Sequence, residues 1–304
     1  MILAATPPPR TPAATPPPRI AGFGLSPATF EDTKFVSFSN SKWKKRGNPF
    51  RISCVPKDGD KGHLEGFSLL SKDFPWEVES TWSTFAVYFF SLHVPLSFGI
   101  LPMIARALQQ SFHDPLLTAV SALTLQGTEL TGFLSLLYYT ANNRNKLPSF
   151  FLGTSYPVQR NWLKVSASGI GFLILLVLLT SRIADEIIEP KGFNNPILKE
   201  ILLYSPISKT TCFILYCFVT PLLEEIVYRG FLLTSIASQG KLWQAICISS
   251  LAFSLAHFSL ENFLQLFIIG YVLGSVYSWS GKLVASVTVH SVYNFIILIF
   301  VSVS

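Results

Sequence analysis

Residues 221–230 read PLLEEIVYRG and set Glu224, Glu225 and Arg229 inside TCFILYCFVTPLLEEIVYRGFLLTSIA, a run that is otherwise almost wholly apolar. In a membrane interior each unpaired charge costs at least a few kcal/mol, so each of these three needs a partner or a use. Helical spacing separates the two carboxylates. Glu225 and Arg229 lie about 40° apart on a helical wheel and can form an ion pair along one helix, whereas Glu224 points about 100° away from Glu225. Glu224 is then the carboxylate left over, free to face a cavity. Pro221 removes the backbone hydrogen bond to the carbonyl of Cys217 and is expected to loosen or kink the helix just ahead of the acids.

The chain has five histidines. His257 follows Phe253 by one helical turn in FSLAHF, which lets the phenyl ring pack over the imidazole. His290 and Asn294, in VHSVYNF, share one face of a helix. Measured from one side of the membrane at 1.5 Å per residue, Glu224, His290 and Asn294 fall at depths of roughly 12 to 18 Å and His257 at roughly 22 Å. A carboxylate, two imidazoles and an amide at a common depth can bind and deprotonate a water and stabilise an oxyanion. Singly, each has a plainer reading: a Glu–Arg pair that fixes helix register, a histidine bonded to a neighbouring helix, an asparagine as interhelical glue. Gln126 and Glu129 read as buried polar groups with no role beyond packing. The case for chemistry rests on the set.

These residues need helices to position them, and the composition supplies helices. Half of the 304 residues are hydrophobic, 13% are charged, and a soluble domain carries roughly twice that charge. About seven apolar runs, each near the length that spans a bilayer, follow one another at 82–104, 115–140, 163–180, 211–236, 242–258, 263–279 and 283–303. The expected fold is an all-α, polytopic membrane helical bundle with about seven transmembrane helices, six to eight by the uncertainty of the boundaries. The longer connection at 181–208 has Ile183, Ile187 and Ile188, then Ile197, Ile201 and Leu202, at helical spacing among charges, which suits an interfacial helix. Gly270 and Gly274 have the small-residue spacing that lets membrane helices approach closely. Neither internal repeats nor paired broken helices speak for a transporter.

The N-terminal arm differs in kind. Up to Cys54 it has eight Lys or Arg against Glu31 and Asp32, is rich in Ala, Thr, Ser and Pro, and has no apolar core segment. That pattern fits a chloroplast transit peptide over 1–54, with a Pro-rich tail as the plainer alternative. A stromal linker is expected over 55–80 and a transmembrane domain over 81–304. Basic residues before the first run, and Arg144, Lys146, Arg160 and Lys164 between the second and third, place both loops on the stromal side. The net charge of +6 lies mostly in the arm and short loops, so it reads as targeting and orientation and not as a nucleic-acid surface. Cys212, Cys217 and Cys247 sit in apolar runs without metal-ligand spacing and read as buried thiols.

The three charged segments together resemble the CAAX protease and bacteriocin-processing family of intramembrane proteases. Its motifs E-E-x-x-x-R, F-x-x-x-H and H-x-x-x-N appear here in order as EEIVYR (224–229), FSLAH (253–257) and HSVYN (290–294). The resemblance covers a core at about 208–300. It implies an endopeptidase in which Glu224 activates a water, His257 helps to orient it, His290 and Asn294 hold the oxyanion, and Glu225, Arg229 and Phe253 support the site. No cofactor is expected; the alternative is zinc on Glu224, His257 and His290, although no H-E-x-x-H is present. The expected location is a multi-pass chloroplast membrane, inner envelope or thylakoid. The expected partners are the lipid bilayer and a protein or peptide substrate. The other reading is a non-proteolytic scaffold or chaperone that keeps the fold and binds a partner protein.

Overall fold

In the computed structural model, residues 70, 75–99, 114–152, 160–187 and 196–303 are described. The expected transit peptide and most of the expected linker lie outside them. The described residues are helical, with no strand beyond a single bridge between Trp76 and Ala141. Among the described residues a 3₁₀ turn at Val78–Ser80 is followed by nine helices. Helix α1 (Thr81–Tyr88) continues into π-helical turns at Phe89–His93 and Pro95–Gly99. Helix α2 (Pro115–Thr140) starts where Asp114 accepts from the backbone N–H groups of Leu116 and Leu117 and Pro115 presets the first turn. Then come α3 (Lys146–Leu152), α4 (Trp162–Ile187) and α5 (Pro196–Tyr204). The site helices follow: α6 (Pro206–Gln239), α7 (Leu242–Ala256), α8 (Phe263–Ser280) and α9 (Leu283–Val303).

All seven expected apolar runs are helical in their described parts. By length and composition four are apolar enough to cross a membrane, at Trp162–Arg182, Pro206–Gln239, Phe263–Ser280 and Leu283–Val303, while Leu242–Ala256 is a shorter apolar helix. Helix α2 is long enough, but Thr118, Thr124, Gln126, Thr128, Glu129 and Thr131 dilute its apolar character. Burial sorts the spans. Only 28% of the α4 window is buried, and Phe172, Leu175, Leu178 and Leu179 point outwards, as befits a lipid-facing helix; 56% of the α6 window is buried, which makes α6 central.

Helix α6 is not a uniform α-helix. Around Pro221 it passes through π-helical turns at Leu215–Val219 and again at Glu225–Leu233. A missing donor at Pro221 explains why the ladder is interrupted there. The wider turn also brings residue i+4 back nearly over residue i, which favours the pairing of Glu225 with Arg229. Helices α7 and α8 pack tightly through the expected glycines. A Cβ added at Gly270 would lie 3.2 Å from Ser250 Cα and from Phe253 Cδ1, and one at Gly274 would lie 3.2 Å from Ile246 Cγ2. Helix α8 ends in Gly281 at φ 67°, whose N–H caps the carbonyl of Tyr277.

The 181–208 connection departs from expectation. Helix α4 runs on to Ile187, residues 188–195 are not among those described, and the second half forms α5 with Leu198, Ile201 and Leu202 buried. Ile197, expected on the apolar face, is 47% exposed, because Leu198 takes the inward position. Near the N-terminal edge, Trp76 is packed into the bundle. Its indole N–H donates to Ser235 Oγ at 2.7 Å, and its rings meet Phe150, Phe151 and Phe231.

Candidate active site

Helix α6 contributes Glu224, Glu225 and Arg229, the end of α7 contributes Phe253 and His257, and α9 contributes His290 and Asn294. Arg229 and Glu225 are completely buried. The guanidinium donates from Nη1 to Glu225 Oε1 at 2.9 Å and from Nη2 to the Gly270 carbonyl at 3.1 Å. It also lies 4.6 Å from the centre of the Phe253 ring. Imidazole Nδ1 of His290 meets the same Glu225 oxygen at 3.0 Å. One carboxylate thus holds a cation from its own helix and an imidazole from α9, fixing α6, α8 and α9 around one buried centre.

Glu224 turns away from this pair. Its side chain keeps 14% of its surface exposed, and its two oxygens face His257 Nε2 at 3.7 Å and His290 Nε2 at 3.6 Å. Both contacts are longer than a direct hydrogen bond and have the span that a bridging water fills. Hydrogen-bond partners set the tautomers. His257 Nδ1 faces the Phe253 carbonyl at 2.7 Å and His290 Nδ1 faces the Glu225 carboxylate, so each Nδ1 carries a proton and each Nε2 is turned towards Glu224. Phe253 sits under this arrangement, 4.6 Å from the His257 ring and 6.1 Å from the His290 ring, centre to centre. Asn294 donates from Nδ2 to the Tyr216 carbonyl at 2.8 Å, which anchors the amide and leaves its second N–H for the recess.

A recess of about 460 Å³, its open mouth included, is lined by Glu224, His257, His290 and Asn294 together with Tyr216 and Tyr293. Leu266, Ile269 and Ile297 give it an apolar wall. A carboxylate and two imidazoles have the donor chemistry of zinc. Among the described residues, however, no three or more His, Cys, Asp or Glu side chains are close enough to hold an ion.

All seven site residues singled out in the sequence meet in one place. A second polar cluster beside them was not legible. Glu129, fully buried, accepts from Tyr88 OH at 2.6 Å and from Gln126 Nε2 at 3.0 Å, and pairs with His93 Nδ1 at 2.8 Å. In the sequence Gln126 and Glu129 looked like packing groups without partners. The available signal was His93, a histidine in the first apolar run. Tyr228 lies between Glu225 and Arg229, and nothing in the sequence marks its hydroxyl.

Fold and site define the class: a helical membrane protein with a buried carboxylate–imidazole centre opening into a recess. Residues 206–296 match the family model described as "Rce1-like: Type II CAAX prenyl endopeptidase Rce1-like", so this segment is similar to the domain of that family. The matched segment runs from the start of α6 into α9 and contains all seven site residues. No curated protein and no solved structure matches the chain.

Proposed function

We propose that the protein is an intramembrane endopeptidase that hydrolyses a peptide bond with a water activated by Glu224. The observation that carries this reading is the meeting of Glu224, His257 and His290 at the polar end of a recess that also contains Asn294. A water between Glu224 and His257 donates one hydrogen to each, since His257 offers Nε2 as an acceptor, and its oxygen lone pair then points to the scissile carbonyl. On attack the proton passes to Glu224, and the C–N bond breaks as Glu224 returns that proton to the leaving amine.

His290 and Asn294 hold the developing oxyanion. As a donor to the oxyanion, His290 carries a proton on Nε2 as well as the one that Nδ1 directs at Glu225. In that form Nε2–H is a donor aimed into the recess, and the free N–H of Asn294 is the second. Glu225, Arg229 and Phe253 hold His290 and His257 in place.

The composition of residues 1–54 supports a plastid address, and we place the enzyme in the inner envelope or the thylakoid. The reading is tested by comparing membrane proteomes from cells carrying the wild type or Glu224→Gln, followed by cleavage of the truncated candidates by purified enzyme. New protein termini that depend on Glu224 are expected; full activity of the Gln variant refutes the mechanism.

A further inference from the structure

Glu224 and His257 line two recesses. The one described above has an apolar wall and the two oxyanion donors, which suits a peptide. The other, about 420 Å³ with its mouth, is lined beyond those two residues by Tyr88, His93, Gln126, Glu129, Tyr228 and a few apolar side chains. Its surface is mostly apolar, from Phe98, Leu223 and Ala256 among others, with these polar groups set into it. The Glu129 network is internally satisfied: His93 Nε2 reaches the Ala256 carbonyl at 3.1 Å, and Gln126 Oε1 accepts from Thr220 at 3.4 Å.

Tyr228 is the exception. Its side chain is 1% exposed, and its hydroxyl has no hydrogen-bond partner among the described residues. In the same recess the Glu224 carboxylate makes no hydrogen bond of ordinary length among the described residues, its two histidine contacts being 3.6 and 3.7 Å. Among the described residues a donor without an acceptor and an acceptor without a donor therefore share one recess. A group that accepts from Tyr228 and donates to Glu224 from a single centre satisfies both, and water is the smallest that does so.

We infer that the recess bounded by Tyr228, Glu129 and His93 is a hydration chamber that stores the nucleophilic water and delivers it to Glu224, apart from the recess that takes the peptide. A hydrolase buried among apolar helices needs such a supply, because the bulk solvent that feeds a soluble enzyme is absent there. The delivery role rests on the protease reading; the presence of water does not.

The first test is hydroxyl-radical footprinting of the full chain in lipid nanodiscs, where radicals form from water at the spot and mark adjacent side chains. Tyr228 and Tyr88 should be oxidised in both the wild type and Glu224→Gln, while Phe231, equally buried at 1% exposure, stays unmarked. A Tyr228 as silent as Phe231 overturns the chamber. The second test is Tyr228→Phe, which keeps the ring and removes the hydroxyl. With no protein partner to lose, its Tm should be unchanged, and kcat should fall roughly tenfold, the scale of one hydrogen bond, with KM unchanged. A raised KM at unchanged kcat assigns the recess to substrate and overturns the inference. Absence of cleavage with a wet chamber defeats only the protease reading; normal cleavage with a dry chamber defeats only this one.

Discussion

Arg229→Ala probes what holds the site together. The guanidinium is fully buried, pairs with Glu225 at 2.9 Å, donates to the Gly270 carbonyl at 3.1 Å and lies 4.6 Å over Phe253. Its removal takes the cation from the buried Glu225 carboxylate and leaves it His290 Nδ1 at 3.0 Å and the Ser286 hydroxyl. Breaking a buried ion pair costs about 3 to 5 kcal/mol, and the surviving imidazole puts this case at the low end, about 3 kcal/mol. At about 2 to 4 °C per kcal/mol for a domain of this size, Tm should fall by about 6 to 12 °C. Thermal unfolding in detergent can be followed by a thiol-reactive dye, since Cys212 and Cys217 are buried. Arg229→Lys keeps the charge but not the fork that reaches both oxygens, so it should recover about half of the loss. The Glu225→Gln/Arg229→Ala double variant should be less damaged than Arg229→Ala alone, because no unpaired charge is left. A Tm for Arg229→Ala within about 2 °C of the wild type, or a double variant no better than the single, refutes the reasoning.

Asn294→Ala should lower kcat by about 100- to 1,000-fold, the cost of one oxyanion donor, with little change in KM; measured turnover on an identified substrate checks this. A chelator such as phenanthroline should leave cleavage unchanged, because in the proposed mechanism Glu224 activates the water without an ion; loss of activity restored by zinc would contradict the assignment. Gly270→Leu should lower Tm by several degrees, since its Cβ would lie 3.2 Å from Ser250 Cα in backbone that cannot step aside.

The sequence alone determined a good deal. Apolar runs of bilayer length imposed helices, because backbone groups in lipid must be satisfied within the segment, and those runs are helical here. Spacing within EEIVYR divided Glu225, which pairs with Arg229, from Glu224, and the interval from Phe253 to His257 put ring against imidazole. Such relations are local, and helix geometry sets them whatever the surroundings. The close approach of α7 to α8 was legible for a similar reason: Gly270 and Gly274 leave one face of α8 without side chains.

Only the tertiary structure decided relations between helices. That His290 Nδ1 would take the same Glu225 oxygen as Arg229, or that Asn294 would be anchored on Tyr216, depends on how α9 is rotated against α6, which no spacing within one helix encodes. The same holds for Glu129. It lies 36 residues from His93 and 41 from Tyr88 in the chain, and looked unpartnered until packing brought the three together. The exposure of Ile197 followed from the rotation of α5, and the π-helical turns of α6 departed from the regular wheel. That the Tyr228 hydroxyl has no hydrogen-bond partner among the described residues is likewise a fact of packing, since spacing within one helix does not encode what the neighbouring helices offer it.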